Sequence, residues 1–157
     1  MNTSDIEKVY QKIANTLNET IPEEWDRVYM YGEISEGARE AFFNYYPKES
    51  KVSVYSHDIP ELFEISEDEY DKLLYELLDN VKELWQEFKN SGEEVWTNLT
   101  FILESTGKFK IDYDYTDLSE ASPRKQHIIW KYKYLGIIPK DENDKKIIDE
   151  YLKAQDK

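Results

Sequence analysis

The chain has 157 residues, of which 39% are hydrophobic and 15% aromatic, including 13 Tyr, 6 Phe and 4 Trp. That much aromatic area excludes a disordered acidic tail despite 34% charged residues, and a domain of this length buries about 70% of its unfolded-state surface. Thirty-four acidic against 20 basic residues leave a formal net charge of -14, a field that disfavours sequence-independent nucleic-acid binding and attracts basic proteins.

The first predicted element is a helix that opens on Ser4 as N-cap, with Glu7 three residues on completing a capping box. Ile6, Val9, Tyr10, Ile13 and Leu17 recur at helical spacing on one face, and Pro22 closes the helix. Two strand-like runs follow. In Trp25–Ile34, Val28, Met30 and Ile34 alternate with Arg27, Tyr29, Tyr31 and Glu33. After the turn Ser35-Glu36-Gly37 a second strand runs from Ala38 to Tyr46 and stops at Pro47. Tyr29, Tyr31, Phe42, Phe43, Tyr45 and Tyr46 lie on this hairpin, and most of the cluster is expected in the core; because both faces carry aromatics, the alternative for one face is an interaction surface or a position under a helix. A short third strand is expected over Lys51–Tyr55, with Val52 and Val54 inward.

The longest helix starts after Ser66, again with a capping box, to Glu69. Its apolar stripe is Tyr70, Leu73, Leu74, Leu77, Val81, Leu84, Trp85 and Phe88, and Asn90-Ser91-Gly92 ends it. A hairpin spans Val95–Tyr115. Val95, Leu99, Phe101 and Leu103 lead out, Ser105-Thr106-Gly107 turns, and Phe109, Ile111, Tyr113 and Tyr115 return. Lys108, Lys110, Asp112 and Asp114 form the outward face of the return strand. A helix capped by Ser122, with Pro123 at its first position and Gly136 after its end, should turn Ile128, Ile129, Tyr132 and Leu135 inward. An amphipathic stretch around Asp141–Leu152 then offers Ile147, Ile148, Tyr151 and Leu152. The order α-β-β-β-α-β-β-α-α contains hairpins and no βαβ crossover. It predicts an α+β fold, an antiparallel sheet of about five strands with helices packed on it, as a single domain over 1–157.

Signals for catalysis or cofactor binding are weak. With no Cys, disulfides, thiolate nucleophiles and Cys-based zinc sites are excluded. The run Asp112–Asp117 invites a calcium-loop reading, but Asp117 stands where that loop needs Gly and Pro123 where it needs Glu. His57 and His127 lack the spacing of a zinc-hydrolase helix, and no nucleophile elbow or Gly-rich phosphate loop is present. The expectation is a chain that binds a protein, with no enzymatic activity, cofactor or metal. Met1–Tyr10 has no basic region followed by an apolar run, and no segment is apolar enough to span a bilayer. The expected compartment is therefore the cytoplasm.

One charge feature exceeds chance. Asp58–Asp71 contains Asp58, Glu61, Glu64, Glu67, Asp68, Glu69 and Asp71 with no Lys or Arg. Glu67, Asp68 and Glu69 have a structural explanation at a helix N-terminus, where the dipole favours them. Asp58, Glu61 and Glu64 lie outside that turn. Together with Asp112, Asp114 and Asp117 they are the candidate partner-binding residues.

The stretch Ile21–Glu33, then Phe43-Asn44-Tyr45-Tyr46-Pro47, resembles the opening of the YezG-like immunity proteins. Tyr113–Asp117, Ser122-Pro123-Arg124 and Ile129–Gly136 resemble that family's C-terminal signature, so the likeness runs in order from about Ile6 to Pro139. The resemblance implies a cytoplasmic antitoxin. Such a protein binds the toxic C-terminal domain, commonly a nuclease, of an LXG-type toxin exported by a type VII secretion system. It implies no catalytic residue to carry over. The alternatives are an adaptor or chaperone-like binder of a basic client, and an enzyme of unrecognised type. The oligomeric state is open.

Overall fold

A computed structural model describes residues 3–155. The chain divides into two compact units, Met1–Thr116 and Asp117–Lys157.

The first unit holds helix α1 (Thr3–Thr20), strands β1 (Trp25–Ile34), β2 (Arg39–Pro47) and β3 (Val54–Tyr55), a 3-10 turn (Ser56–Asp58), a short helix α2 (Ile59–Phe63), the long helix α3 (Glu67–Asn90), and strands β4 (Asn98–Glu104) and β5 (Phe109–Asp114). The strands form one antiparallel sheet in the order β3-β2-β1-β4-β5. The five strands and their mixed α+β order are those the sequence predicts. The short turns before α3 are additional. Ser4 lies within helix α1 and not at its cap.

Alternation decides which face of the sheet is core. Val28, Met30 and Ile34 on β1, Phe43 and Tyr45 on β2, and Leu99, Phe101 and Leu103 on β4 are buried in one cluster. They meet Ile6, Val9, Ile13 and Leu17 of α1 and Leu77, Val81, Leu84 and Phe88 of α3. Each such aliphatic side chain contributes about 1.5–3 kcal/mol when fully buried, the largest favourable term available to the unit. Tyr31 and Phe42, on the opposite face of the hairpin, are also buried and stack with ring centroids 5.2 Å apart.

The two helices are tied by a buried polar pair. Asn80 Nδ2 of α3 donates to Thr16 Oγ1 of α1 at 2.9 Å, so two polar groups that are costly to bury unpaired satisfy one another. Lys12 and Glu83 close the solvent side of the same contact at 3.1 Å. Against the sheet, α3 approaches β1 at Gly32. A Cβ there would lie 3.0 Å from Val81 Cγ1, closer than ordinary packing allows.

Helix α3 starts as expected, with Ser66 Oγ accepting from the Glu69 amide at 3.1 Å, and ends before Gly92 at φ 73°. The β4–β5 turn also follows its sequence, with Gly107 at φ 95°. Strand β3 is shorter than predicted, and Val52 is 76% exposed. Ser50 Oγ bonds both the amide and the carbonyl of Val52, each at 3.1 Å, and this local turn replaces the strand pairing on which an inward Val52 depends.

The second unit contains α4 (Pro123–Leu135) and α5 (Glu142–Gln155). Ser122 Oγ accepts from the Lys125 amide, Pro123 begins α4, and Gly136 at φ 68° ends it. Asp141 caps α5 through the Asn143 amide at 2.7 Å, and Arg124 pairs with Asp144 across the two helices. The fully buried apolar residues here are Trp130 and Ile148. Ile128, Ile129, Tyr132 and Leu135 are only half-buried, as are Ile147 and Tyr151, and Leu152 is exposed. Apolar residues run all round α4, so its periodicity does not select one inward face.

The Gly32 contact yields a test. Gly32→Val should overpack the α3–sheet interface and destabilise the protein by about 1–3 kcal/mol, read as a lower urea midpoint at unchanged m-value.

Candidate partner-binding surface

Negative charge is unevenly shared. Residues 1–116 carry 26 of the 34 acidic and 11 of the 20 basic side chains, whereas residues 117–157 carry 8 and 9. The net charge therefore resides in the first unit.

Within it, the acidic segment leaves β3 through the 3-10 turn. Asp58 ends that turn, Glu61 lies on α2, and Glu64 caps α2 in the left-handed region at φ 53°. Glu67, Asp68 and Glu69 occupy the first turn of α3, where the exposed amide dipoles offset their mutual repulsion. All seven carboxylates from Asp58 to Asp71 are exposed, and among the described residues none forms a salt bridge. Acids elsewhere in the unit differ: Glu24, Glu36, Asp79 and Glu83 each pair with a Lys or Arg. The segment is held in place by His57, whose Nδ1 lies 2.7 Å from Tyr70 Oη at the start of α3. The Tyr55 and His57 rings meet edge-on at 5.0 Å.

Asp112, Asp114 and Asp117 are differently placed. Asp112 is half-buried on β5, with Lys110 Nζ 3.6 Å away. Asp114 Oδ1 accepts from the Thr116 amide at 2.8 Å and Asp117 Oδ1 from the Ser119 amide at 2.9 Å, two local turns that use those carboxylates structurally. Accepting from Ser119 also holds the Asp117 carboxyl below the usual range. Strand β5 is four strands from β3, roughly 19 Å at about 4.8 Å per strand. The six candidate acids are thus not one patch. Asp58, Glu61 and Glu64 lie together after β3, Asp112 and Asp114 lie at the opposite edge, and Asp117 belongs to the second unit.

Two residues that sequence reasoning missed join the first group. Leu62, 61% exposed, stands between Glu61 and Glu64 on α2, and Tyr75, 58% exposed, stands one turn beyond Asp71 on α3. Tyr is enriched among the residues that anchor protein interfaces, which favours Tyr75 over Leu62 in that role. The sequence offered little signal, because Leu62 is one of several apolar residues between the acids and among Ile59, Leu62, Phe63 and Ile65 only Leu62 is exposed. Among the described residues no three His, Asp or Glu gather as metal ligands, and no helix is long and apolar enough to cross a membrane.

The antiparallel sheet with α1 and α3 on its core face, and an exposed acidic segment leading into α3, accompany a match to the family model described as "Immunity protein YezG-like" over residues 6–149. The chain belongs to this family. It is 41% identical over 158 residues to "Immunity protein YezG" of Bacillus spizizenii, covering 99% of this chain and 98% of that one. Identity to "Immunity protein YezG" of Bacillus subtilis is 39% over 149 residues, covering 94% and 99%. It is 35% identical over 153 residues to "Type VII secretion system protein EsaG" of Staphylococcus aureus, covering 94% of each chain.

Burial pushes the Tyr70 hydroxyl up to about 12 and raises those of Tyr45 and Tyr113 further, with hydrogen bonds to Glu23 and Tyr10 adding to the effect. Raised values mean that the folded state holds these protons more tightly than the unfolded chain, whose tyrosines ionise near 10. Their stabilising contribution is therefore complete below about pH 10 and is lost as pH rises toward 12 and beyond. Absorbance titration of tyrosinate should show Tyr70→Phe removing one late-ionising group, with alkaline unfolding of the wild type beginning above about pH 10.

Proposed function

We propose that this protein is a cytoplasmic immunity protein. It neutralises, by stoichiometric binding, the toxic C-terminal domain of a cognate LXG-type toxin of a type VII secretion system, and that domain is a nuclease. Family membership and the relative named for type VII secretion support the reading. The observation that carries it is the run of seven exposed carboxylates between Asp58 and Asp71 that, among the described residues, form no salt bridge. Acids already paired gain little from a basic partner, whereas unpaired ones lose mutual repulsion when it arrives.

A nuclease must present cations to the phosphate backbone. An acidic partner occupies the same field and excludes the nucleic acid without any reaction of its own. In this scheme Asp58, Glu61 and Glu64 steer the encounter, and Leu62 and Tyr75 supply the apolar contact that holds the complex. Asp112, Asp114 and Asp117 make at most a secondary contribution, because two of the three already serve local turns.

Reversing Asp58, Glu61 and Glu64 together to Lys should lower the association rate with the toxic domain about tenfold and flatten its dependence on salt. Leu62→Asp should instead act mainly on dissociation. Stopped-flow binding reads both, and unchanged association in the triple variant sinks the steering role. Co-expression tests the function itself. The wild-type chain should rescue growth of cells producing the toxic domain alone, an effect not required of an adaptor that only delivers a client.

A further inference from the structure

The sheet's two edges are finished differently. At β3 the edge is two residues long, and Ser56 Oγ accepts the Phe43 amide of β2 at 3.0 Å just beyond it. At β5 the edge is six residues long, and no strand among the described residues pairs with its outer side.

Its outward groups follow from the hairpin. The Glu104 amide donates to the Lys108 carbonyl at 2.8 Å, so Glu104 and Lys108 face each other as a hydrogen-bonded pair. The register continues Leu103 opposite Phe109, Ile102 opposite Lys110, Phe101 opposite Ile111 and Thr100 opposite Asp112. Hydrogen-bonded pairs alternate along an antiparallel ladder. Lys110, Asp112 and Asp114 therefore turn their peptide groups toward β4, and Phe109, Ile111 and Tyr113 turn theirs outward. Among the described residues nothing bonds those outward amides and carbonyls. Phe109, 48% exposed at this rim, stacks on Phe101 with centroids 5.3 Å apart.

The side chains on this strand read as their own complement. Lys108, Lys110, Asp112 and Asp114 share one face, cations first and anions last. Lysines alone would guard the edge against any added strand. This row instead fits a second copy of itself laid antiparallel, with Ile111 on the two-fold axis. In that register Lys110 and Asp112, 3.6 Å apart within one strand, meet Asp112 and Lys110 of the second copy as a four-charge cluster, Lys108 faces Asp114, Phe109 faces Tyr113, and each outward amide meets an outward carbonyl. The four ion pairs, two kinds each repeated by the symmetry, fall at the non-hydrogen-bonded positions, where cross-strand side chains approach closest.

We propose that β5 is a self-association edge through which two copies of this chain join their sheets into one continuous antiparallel sheet. A two-fold pairing of this kind uses the same patch on both subunits, as closed dimers do.

Sedimentation equilibrium of the full chain, from micromolar to millimolar concentration at about 0.15 M salt, tests this. The wild type should show a monomer–dimer equilibrium, and amide exchange at Phe109, Ile111 and Tyr113 should slow as concentration rises. Lys108→Glu with Lys110→Glu makes the row wholly acidic, and Asp112→Lys with Asp114→Lys makes it wholly basic. Each double variant alone should dimerise at least about tenfold more weakly. An equimolar mixture of the two should restore the dimer, because every cross-strand pair is then again of opposite sign. That restoration also shows that both variants remain folded. A wild type that stays monomeric throughout overturns the proposal, as does a mixture no tighter than either variant. Protection of the three amides only on addition of a different protein would likewise exclude a second copy as the occupant.

Discussion

Helix α3 approaches the sheet most tightly where β1 carries a glycine. A Cβ at Gly32 would lie 3.0 Å from Val81 Cγ1, tighter than ordinary contacts, so Val81 would have to shift to make room, and Met30 and Ile34 beside it belong to the same buried cluster. Helix α1 lies beside α3 on the same face, joined to α3 by Asn80 and Thr16 and to β5 by the Tyr10–Tyr113 hydroxyl pair at 2.7 Å. The rest of the first unit is arranged around that contact. The long helix must begin at one rim of the sheet, and the chain must reach it from β3 through the turns that carry the acidic segment.

Those turns explain why so much like charge is tolerated. Seven carboxylates in fourteen residues repel one another, and burial would make the cost prohibitive. Here they stand in water, three of them at the positive end of α3, and the backbone beneath is pinned by apolar and polar contacts that do not depend on charge. Ile59 is buried, and His57 and Tyr70 bond across the start of the helix. Stability and electrostatic display are thus separated: the core supplies the first, and the loop is free to supply the second.

The opposite edge follows a different rule. Strand β5 is amphipathic across its two faces, and its outward charges change sign along its length, so it neither repels every strand nor invites any strand. An edge with a sign pattern selects by register.

Much of the architecture was legible in residue order. Caps at Ser66 and Ser122, glycines after α3 and α4, the Ser105-Thr106-Gly107 turn and the alternation in β1 and β4 are local physics, and they predict those elements because the responsible groups are within a few residues of one another. The misplacements have the opposite character. Val52 is exposed because Ser50 captures its backbone, and the inward residue of α4 is Trp130 because an all-round apolar helix acquires a face only from its surroundings. The candidate site divides in the same way. Acidity between Asp58 and Asp71 is a property of the sequence, as is the family's signature. Strand order alone places Asp112 and Asp114 at the far edge, and only the tertiary structure brings Leu62 and Tyr75 to solvent beside the acids, because pairing and burial are settled between residues far apart in the chain.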